Sequence, residues 1–120
     1  MIIGVPREVK DHESRGGLVP HGVTTLIEAG HQVVVQTRAG TLSSITDEEY
    51  LETGARVVPT AADVWNAADL VIKVKEPQPS EYGFFREGLT LFAYLHLAPL
   101  PELTRKLMDS KVTGIAYETI

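Results

Sequence analysis

Residues 32–37 read QVVVQT, a run of β-branched residues that is typical of a strand buried on both faces. The preceding segment, residues 20–30, opens with proline and closes with glycine, and Val23, Leu26 and Ile27 fall on one face of a helix there. This combination of a helical segment and a short apolar run recurs along the chain. The other apolar runs are residues 2–5, 56–58, 70–74, 90–95 and 112–116. Together these runs predict the buried strands of a sheet.

Further helices are predicted between the strands. Thr46 can cap a short acidic helix that runs through Leu51, and Gly54 ends it. The remaining helical segments are residues 60–67, 81–86 and 101–110. Strands and helices therefore alternate, which predicts an α/β domain with a mostly parallel sheet, flanking helices and right-handed crossovers.

Length and composition favour one soluble domain over residues 1–120. Hydrophobic residues make up 43% and charged residues 22%, as in ordinary globular proteins, which argues against disorder, collagen-like repeats and coiled coils. The chain has no cysteine, and its net charge is −5 without a basic cluster. Nucleic acid and membranes are therefore not expected as partners. No signal peptide or membrane-spanning run is visible, so we expect a cytoplasmic protein.

Polar side chains follow four of the predicted strands. They are Arg15 after the first strand, Lys73 and Lys75 at the end of the fourth, Tyr94 and His96 at the end of the fifth, and Glu118 at the end of the sixth. Because ligands of parallel α/β sheets bind at the carboxyl ends of the strands, we expect these groups to share one edge. Arg15 can hold a carboxylate, Lys75 can bind a carbonyl oxygen, and His96 titrates near neutrality. The set predicts a site for a small keto or amino acid.

Arg15 and the two lysines also have purely structural interpretations. Arg15 can be a solvated loop residue, although Gly16 and Gly17 beside it let the backbone approach a ligand. Lys73 and Lys75 have the same strand parity, so both are expected to point to one side and to reach water from the strand end.

The histidines and aromatic residues have similar alternatives. His96 can be a hydrogen-bonded core residue, and Glu118 can be an exposed side chain. No metal-ligand spacing is present among His12, His21 and His31. Core or helix-packing positions are expected for Trp65, Tyr82, Phe84 and Phe85.

Several well-known signatures are missing from the sequence. There is no GxGxxG turn, no GxxxxGK[ST] loop and no GxSxG elbow. Residues 38–41, RAGT, follow a strand, but one glycine is weak evidence for phosphate binding. The residues alone therefore predict a small-anion-binding α/β domain without a dinucleotide site or a metal site.

Five short segments carry a family resemblance. They are MIIGVPRE at 1–8, ESR at 13–15, KVKEP at 73–77, YLHLA at 94–98 and IAYET at 115–119. In this order they resemble the N-terminal domain of the L-alanine dehydrogenases, which belong to the alanine dehydrogenase/nicotinamide nucleotide transhydrogenase family. The chain departs from the family pattern at Gly16-Gly17, where a bulkier apolar residue usually follows the arginine, and this predicts a looser Arg15 loop.

The resemblance implies a Rossmann-like or flavodoxin-like substrate domain of an NAD-dependent enzyme that interconverts L-alanine with pyruvate and ammonium. It implies that Arg15 holds the substrate carboxylate, that Lys75 binds the carboxylate or the keto oxygen, and that His96 is the acid/base. Tyr94 and Glu118 would support them. NAD would be bound by a domain not present in this chain, so the chain alone is not expected to turn over. The complete enzyme would be a cytoplasmic homohexamer.

Two other functions remain open. The chain can be a non-catalytic ligand-binding or assembly module that keeps the fold, which Gly16-Gly17 and the missing dinucleotide signature favour. It can also be a transhydrogenase-like subunit, since the opening strand and the arginine loop are similar in that branch of the family.

Overall fold

The computed structural model of the chain describes residues 1–10, 13, 15–95, 97 and 100–117. Its sheet has the order β3-β2-β1-β4-β5-β6, and every neighbouring pair is parallel. This is the doubly wound order of Rossmann-type domains, so the predicted α/β class is confirmed. The strands are β1 (Ile2–Val5), β2 (Gln32–Gln36), β3 (Arg56–Val58), β4 (Leu70–Ile72), β5 (Thr90–Ala93) and β6 (Thr113–Ala116).

The helices lie close to their predicted positions. They are α1 (Pro20–Glu28), α2 (Asp47–Glu52), α3 (Ala61–Ala67) and α4 (Pro101–Asp109), together with 3-10 helices at Thr41–Ser43 and Pro79–Phe84. Thr46 caps α2 as predicted, because its hydroxyl accepts from the Glu49 N–H at 3.2 Å while the Glu49 carboxylate accepts from the Thr46 N–H.

The helix predicted over residues 81–86 is replaced by the 3-10 helix Pro79–Phe84. It begins two residues earlier than expected because Pro79 occupies its first turn and the Glu81 carboxylate accepts from the Gln78 N–H at 3.0 Å.

Helices cover both faces of the sheet. On one face, α1 and α2 pack over alternate strand residues such as Ile3, Val33 and Ile72. On the other face, α3, α4 and the 3-10 helix Pro79–Phe84 pack over Val71 and the inner residues of β5. Trp65 on α3 is fully buried in this second cluster with the neighbouring Tyr82, Phe84 and Phe85, as the sequence predicted.

The end strand β6 differs from its prediction. Its apolar run indicated a strand buried on both faces, yet Thr113, Gly114 and Ile115 are exposed. The prediction of burial is wrong here because β6 lies at the edge of the sheet, with β5 on one side only.

The centre of the sheet contains its topological switch point. From β1 the chain moves outward to β2 and β3, and it then returns to place β4 on the other side of β1. In doubly wound sheets the ligand-binding crevice lies at the carboxyl ends of the two strands at this point, which here are β1 and β4. Gly4 lets α3 pack closely on β1, since a Cβ there would lie 2.8 Å from side-chain atoms of both Ala68 and Val64.

No helix among the described residues is long enough and apolar enough to cross a membrane.

Candidate functional site

Glu8 ties the loop after β1 to the end of β4. Its carboxylate oxygens accept from the backbone N–H of Val74 at 3.1 Å and from that of Lys75 at 3.2 Å. The predicted strand over residues 70–74 ends at Ile72 because these two N–H groups donate to a side chain and not to a neighbouring strand. Glu8 therefore crosses the switch-point crevice and fixes the backbone of Lys75.

Lys73 lies beneath this crevice between two carboxylates. Its ammonium is 3.1 Å from Oε1 of Glu8 and 3.3 Å from Oε2 of Glu81, and its side chain is only 1% exposed. The expectation that Lys73 reaches water is therefore wrong: an ion pair with buried partners replaces solvation. Burial raises the pKa of the Glu81 carboxyl, and the charge of Lys73 opposes that rise.

Arg15 lies on the loop after β1 and is paired with Glu13. Its Nε is 2.9 Å from Oε2 of Glu13, and its Nη2 is 3.0 Å from Oε1. The Arg15 side chain is 64% exposed, whereas that of Glu13 is 4% exposed. The hydrogen bond from Arg15 lowers the pKa of the Glu13 carboxyl, although burial opposes it. Glu13 is thus a charged anchor that holds one edge of the guanidinium and leaves the other edge to solvent.

Lys75 belongs to the same group. Its positive charge contributes to the lowered pKa of Glu13, so its ammonium lies within electrostatic reach of that carboxylate. The residue is half-buried, and within the described part of the chain its ammonium has no ion pair. Arg15 and Lys75 therefore both lie near the carboxylate of Glu13, and their shared role at a site stays a prediction.

The ends of β5 and β6 contribute aromatic rings. The Tyr94 and Tyr117 rings have centroids 4.8 Å apart, and Tyr117 also packs on Phe92 at 4.2 Å. Burial raises the pKa of the Tyr117 hydroxyl, and the negative charge of Glu8 adds to the rise. Tyr94 is 44% exposed and directly follows β5, so it lies at the carboxyl end of that strand.

Two predicted site residues, His96 and Glu118, lie outside the described residues. Conversely, sequence reasoning missed three carboxylates: Glu8, Glu13 and Glu81. Lys73 was the signal for Glu8 and Glu81, because a lysine next to a buried strand requires a carboxylate partner nearby. Glu13 pairs with Arg15 and had no such signal. The described residues include no group of three or more His, Cys, Asp or Glu that could hold a metal ion.

Gly17 gives the Arg15 loop a close contact with β4. A Cβ at this position would lie 2.5 Å from the Ile72 carbonyl oxygen and 3.0 Å from the Lys73 Cα. The sequence interpretation took Gly16-Gly17 as a source of looseness, whereas the structure shows that Gly17 permits tight packing of backbone on backbone. Tyr50 also pins the following residue, since its hydroxyl donates to the Leu18 carbonyl at 2.8 Å.

We expect Gly17→Ala to destabilise the domain by about 1–3 kcal/mol, because the obstructing atoms are backbone atoms that cannot rotate away. Gly83→Ala is the matched control, since a Cβ there meets nothing within 4 Å. Urea unfolding followed by circular dichroism measures both changes. Equal stability of the two variants would contradict the close-packing explanation.

Comparison with known proteins agrees with this geometry. The family model described as alanine dehydrogenase/PNT, N-terminal domain, matches residues 4–120. The chain is 52% identical over 120 residues to an alanine dehydrogenase of Methanococcus maripaludis and 55% identical to alanine dehydrogenase 2 of Staphylococcus aureus. In both cases the match covers the whole chain and 32% of the relative, so the chain spans about a third of the length of these curated relatives.

Two solved structures have the same fold. An L-alanine dehydrogenase superposes with a TM-score of 0.96 at 50% identity, covering 99% of this chain and 33% of that one. A transhydrogenase from Sinorhizobium meliloti gives 0.91 at 30% identity, covering 98% of this chain and 34% of that one. Because the family model matches nearly the whole chain, the chain belongs to the N-terminal domain family of the alanine dehydrogenases and transhydrogenases.

Proposed function

We propose that this chain is the substrate-binding domain of an NAD-dependent alanine dehydrogenase, which interconverts L-alanine with pyruvate and ammonium. The observation that carries the proposal is a pair of cations around one carboxylate: an exposed Arg15 guanidinium is held by buried Glu13, and the half-buried Lys75 lies within electrostatic reach of the same Glu13. The dehydrogenase relatives, at more than half identity over the whole chain, support the same activity.

Arg15 holds the substrate carboxylate in this proposal. Glu13 uses the donors on Nε and Nη2, and a guanidinium has five N–H donors in all. The edge formed by Nη1 and the second hydrogen of Nη2 is therefore free of Glu13 and can grip a planar carboxylate with two parallel hydrogen bonds. Glu13 thus orients the fork and does not block it.

Lys75 binds the carboxylate or the keto oxygen. An ammonium at that oxygen draws electron density from the carbonyl carbon and stabilises the negative charge that develops when this carbon accepts hydride. His96 then moves the proton as the acid/base, a role suited to a group that titrates near neutrality. Tyr94 and Glu118 complete the set as supporting residues.

NAD is assigned to sequence outside these residues. In a dinucleotide-binding sheet, the loop after β1 is a glycine-rich turn that leads directly into a helix N-terminus facing the pyrophosphate. Here the sequence has no GxGxxG turn after β1, and the next helix among the described residues, α1, begins only at Pro20. This loop therefore does not fit the pyrophosphate of a dinucleotide, and the roles given to Arg15, Lys75 and His96 concern the substrate alone. The complete enzyme, by family resemblance, is a cytoplasmic homohexamer.

A titration of the ¹⁵N-labelled chain with pyruvate tests the proposal. We expect saturable amide shifts, at millimolar concentrations or below, clustered at Arg15, Lys75 and Tyr94. Methyl pyruvate is the matched ligand, since it keeps the keto group but lacks the charged carboxylate, and it should cause much smaller shifts. No response to pyruvate, or an equal response to the ester, would contradict carboxylate capture and favour a non-catalytic assembly module.

A transhydrogenase subunit is the second candidate, favoured by the similarity to the Sinorhizobium meliloti structure. A transhydrogenase subunit has no need to bind pyruvate at this crevice. An absence of amide shifts in the pyruvate titration would therefore favour this second candidate over the dehydrogenase.

A further inference from the structure

The buried cluster of Glu81, Lys73 and Glu8 is not needed to contact the substrate in the proposed function. Its three side chains are between 1% and 4% exposed, and they are linked in one row by contacts of 3.3 Å and 3.1 Å. We propose that this cluster is a positioning device, in which Glu81 and Lys73 act through Glu8 to hold the backbone of Lys75 and so to place its ammonium at the mouth of the crevice.

Each member of the row is attached to a different part of the fold. Glu81 accepts from the Gln78 N–H, which ties it to the start of the 3-10 helix Pro79–Phe84. Lys73 follows β4 directly, and its N–H donates to the Phe92 carbonyl of β5 at 2.9 Å. Glu8 comes from the loop after β1. The cluster therefore joins three elements at the carboxyl ends of the central strands.

Glu8 connects the buried cluster to the backbone of Lys75. Both of its oxygens are engaged: Oε1 accepts from the Lys73 ammonium and the Lys75 N–H, and Oε2 accepts from the Val74 N–H. Without the Lys73 ammonium, the buried carboxylate of Glu8 would lose its ion pair. The Glu8 side chain would then rotate towards solvent or another donor. The hydrogen bonds to residues 74 and 75 would then weaken together.

The chemistry of the cluster argues against a role in stability alone. Burying charges costs desolvation energy, and replacing a buried ion pair by apolar side chains of similar volume is often neutral or stabilising. Two carboxylates and one ammonium are thus a poor way to fill a core. They are an effective way to fix a backbone segment, because each bond has a defined direction.

Only the pyruvate-binding part of this inference rests on the proposed function; the hydrogen bond between Glu8 and the Lys75 backbone does not. Two measurements on the ¹⁵N-labelled chain therefore test the two parts separately. The first is the amide ¹H shift of Lys75 without any ligand, which reports its hydrogen bond to Glu8. The second is the Kd for pyruvate. Thermal unfolding of each variant provides the third quantity, stability.

The test variants are Lys73→Met, which keeps the length of the side chain but removes its charge, and Glu81→Gln, which keeps an acceptor for Lys73. Glu87→Gln is the matched control, because its pair with Lys111 at 3.9 Å is exposed on both sides. We expect the Lys75 amide to move upfield in both test variants, and the Kd for pyruvate to rise about tenfold in Lys73→Met. Glu87→Gln should change neither quantity. If Lys73→Met does not fold, the Lys75 amide shift of Glu81→Gln tests the positioning role instead.

The outcomes separate the two proposals. A lower melting temperature with an unmoved Lys75 amide would show a structural role only and overturn the inference. A moved amide with an unchanged Kd would overturn it as well, since Lys75 placement would not matter for binding. If the amide moves but the unmodified chain does not bind pyruvate at all, the backbone-positioning role is supported and the proposed function fails.

Discussion

Replacing Arg15 with methionine should weaken pyruvate binding on the order of tenfold to a hundredfold, which is the range for losing charge-assisted hydrogen bonds to a ligand. The guanidinium is exposed, and Glu13 holds only one of its edges. Methionine keeps much of the side-chain length but offers no donor. Lys75 remains in place, so residual binding through a single cation is expected.

Two companion variants sharpen this result. Arg15→Lys keeps the charge but loses the planar fork, and its affinity should lie between those of the unmodified chain and of Arg15→Met. Arg56→Met is the matched control, since this exposed arginine begins β3 and therefore lies at the opposite, amino edge of the sheet. Isothermal titration or amide shifts give the three Kd values. Equal affinity of Arg15→Met and Arg56→Met would remove the role assigned to Arg15.

Replacing Trp65 with alanine should lower the free energy of unfolding by about 3–5 kcal/mol. The indole is fully buried, stacks on Phe84 with ring centroids 5.6 Å apart, and contacts Phe85 at 6.1 Å. Alanine would leave a cavity between α3 and the 3-10 helix Pro79–Phe84. Because Trp65 is the only tryptophan, unfolding in urea should be followed by far-UV circular dichroism rather than by fluorescence.

Trp65→Phe should cost less than Trp65→Ala. The Nε1 of Trp65 has no hydrogen-bond partner among the described residues, so phenylalanine removes an unsatisfied polar group while it refills much of the volume. Met108→Ala is the surface control, since Met108 is 74% exposed. If Trp65→Ala lowered the free energy of unfolding no more than Met108→Ala does, the cluster around Trp65 would not be the core of the sheet face covered by α3 and α4.

The secondary structure was largely predictable because its signals are local. The β-branched run at β2, the cap at Thr46 and the glycine at the end of α1 each act within a few residues. One error has a local cause and another does not. The 3-10 helix Pro79–Phe84 starts where a side-chain acceptor and a proline coincide, whereas β4 ends because backbone donors turn to Glu8, which lies 66 and 67 residues earlier in the sequence.

The candidate site was predictable only in part. Arg15, Lys75 and Tyr94 were expected at the strand ends, and in the structure Lys75 follows β4, Tyr94 follows β5, and Arg15 and Lys75 both lie near Glu13. The carboxylates that orient them were not expected, because glutamates in a polar loop look solvated in the sequence. Lys73 and Lys75 looked equivalent by parity, yet one is enclosed by carboxylates and the other opens to the crevice.

Local sequence patterns predicted most of the strands, the helices and the caps, and with them an α/β domain with a mostly parallel sheet. The order of the strands depended on tertiary packing. Placing β4 beside β1 brings Glu8 to Lys73, 65 residues along the chain. Periodicity acts over a few residues, whereas strand order depends on how two whole faces of helices pack, and no local pattern encodes that choice.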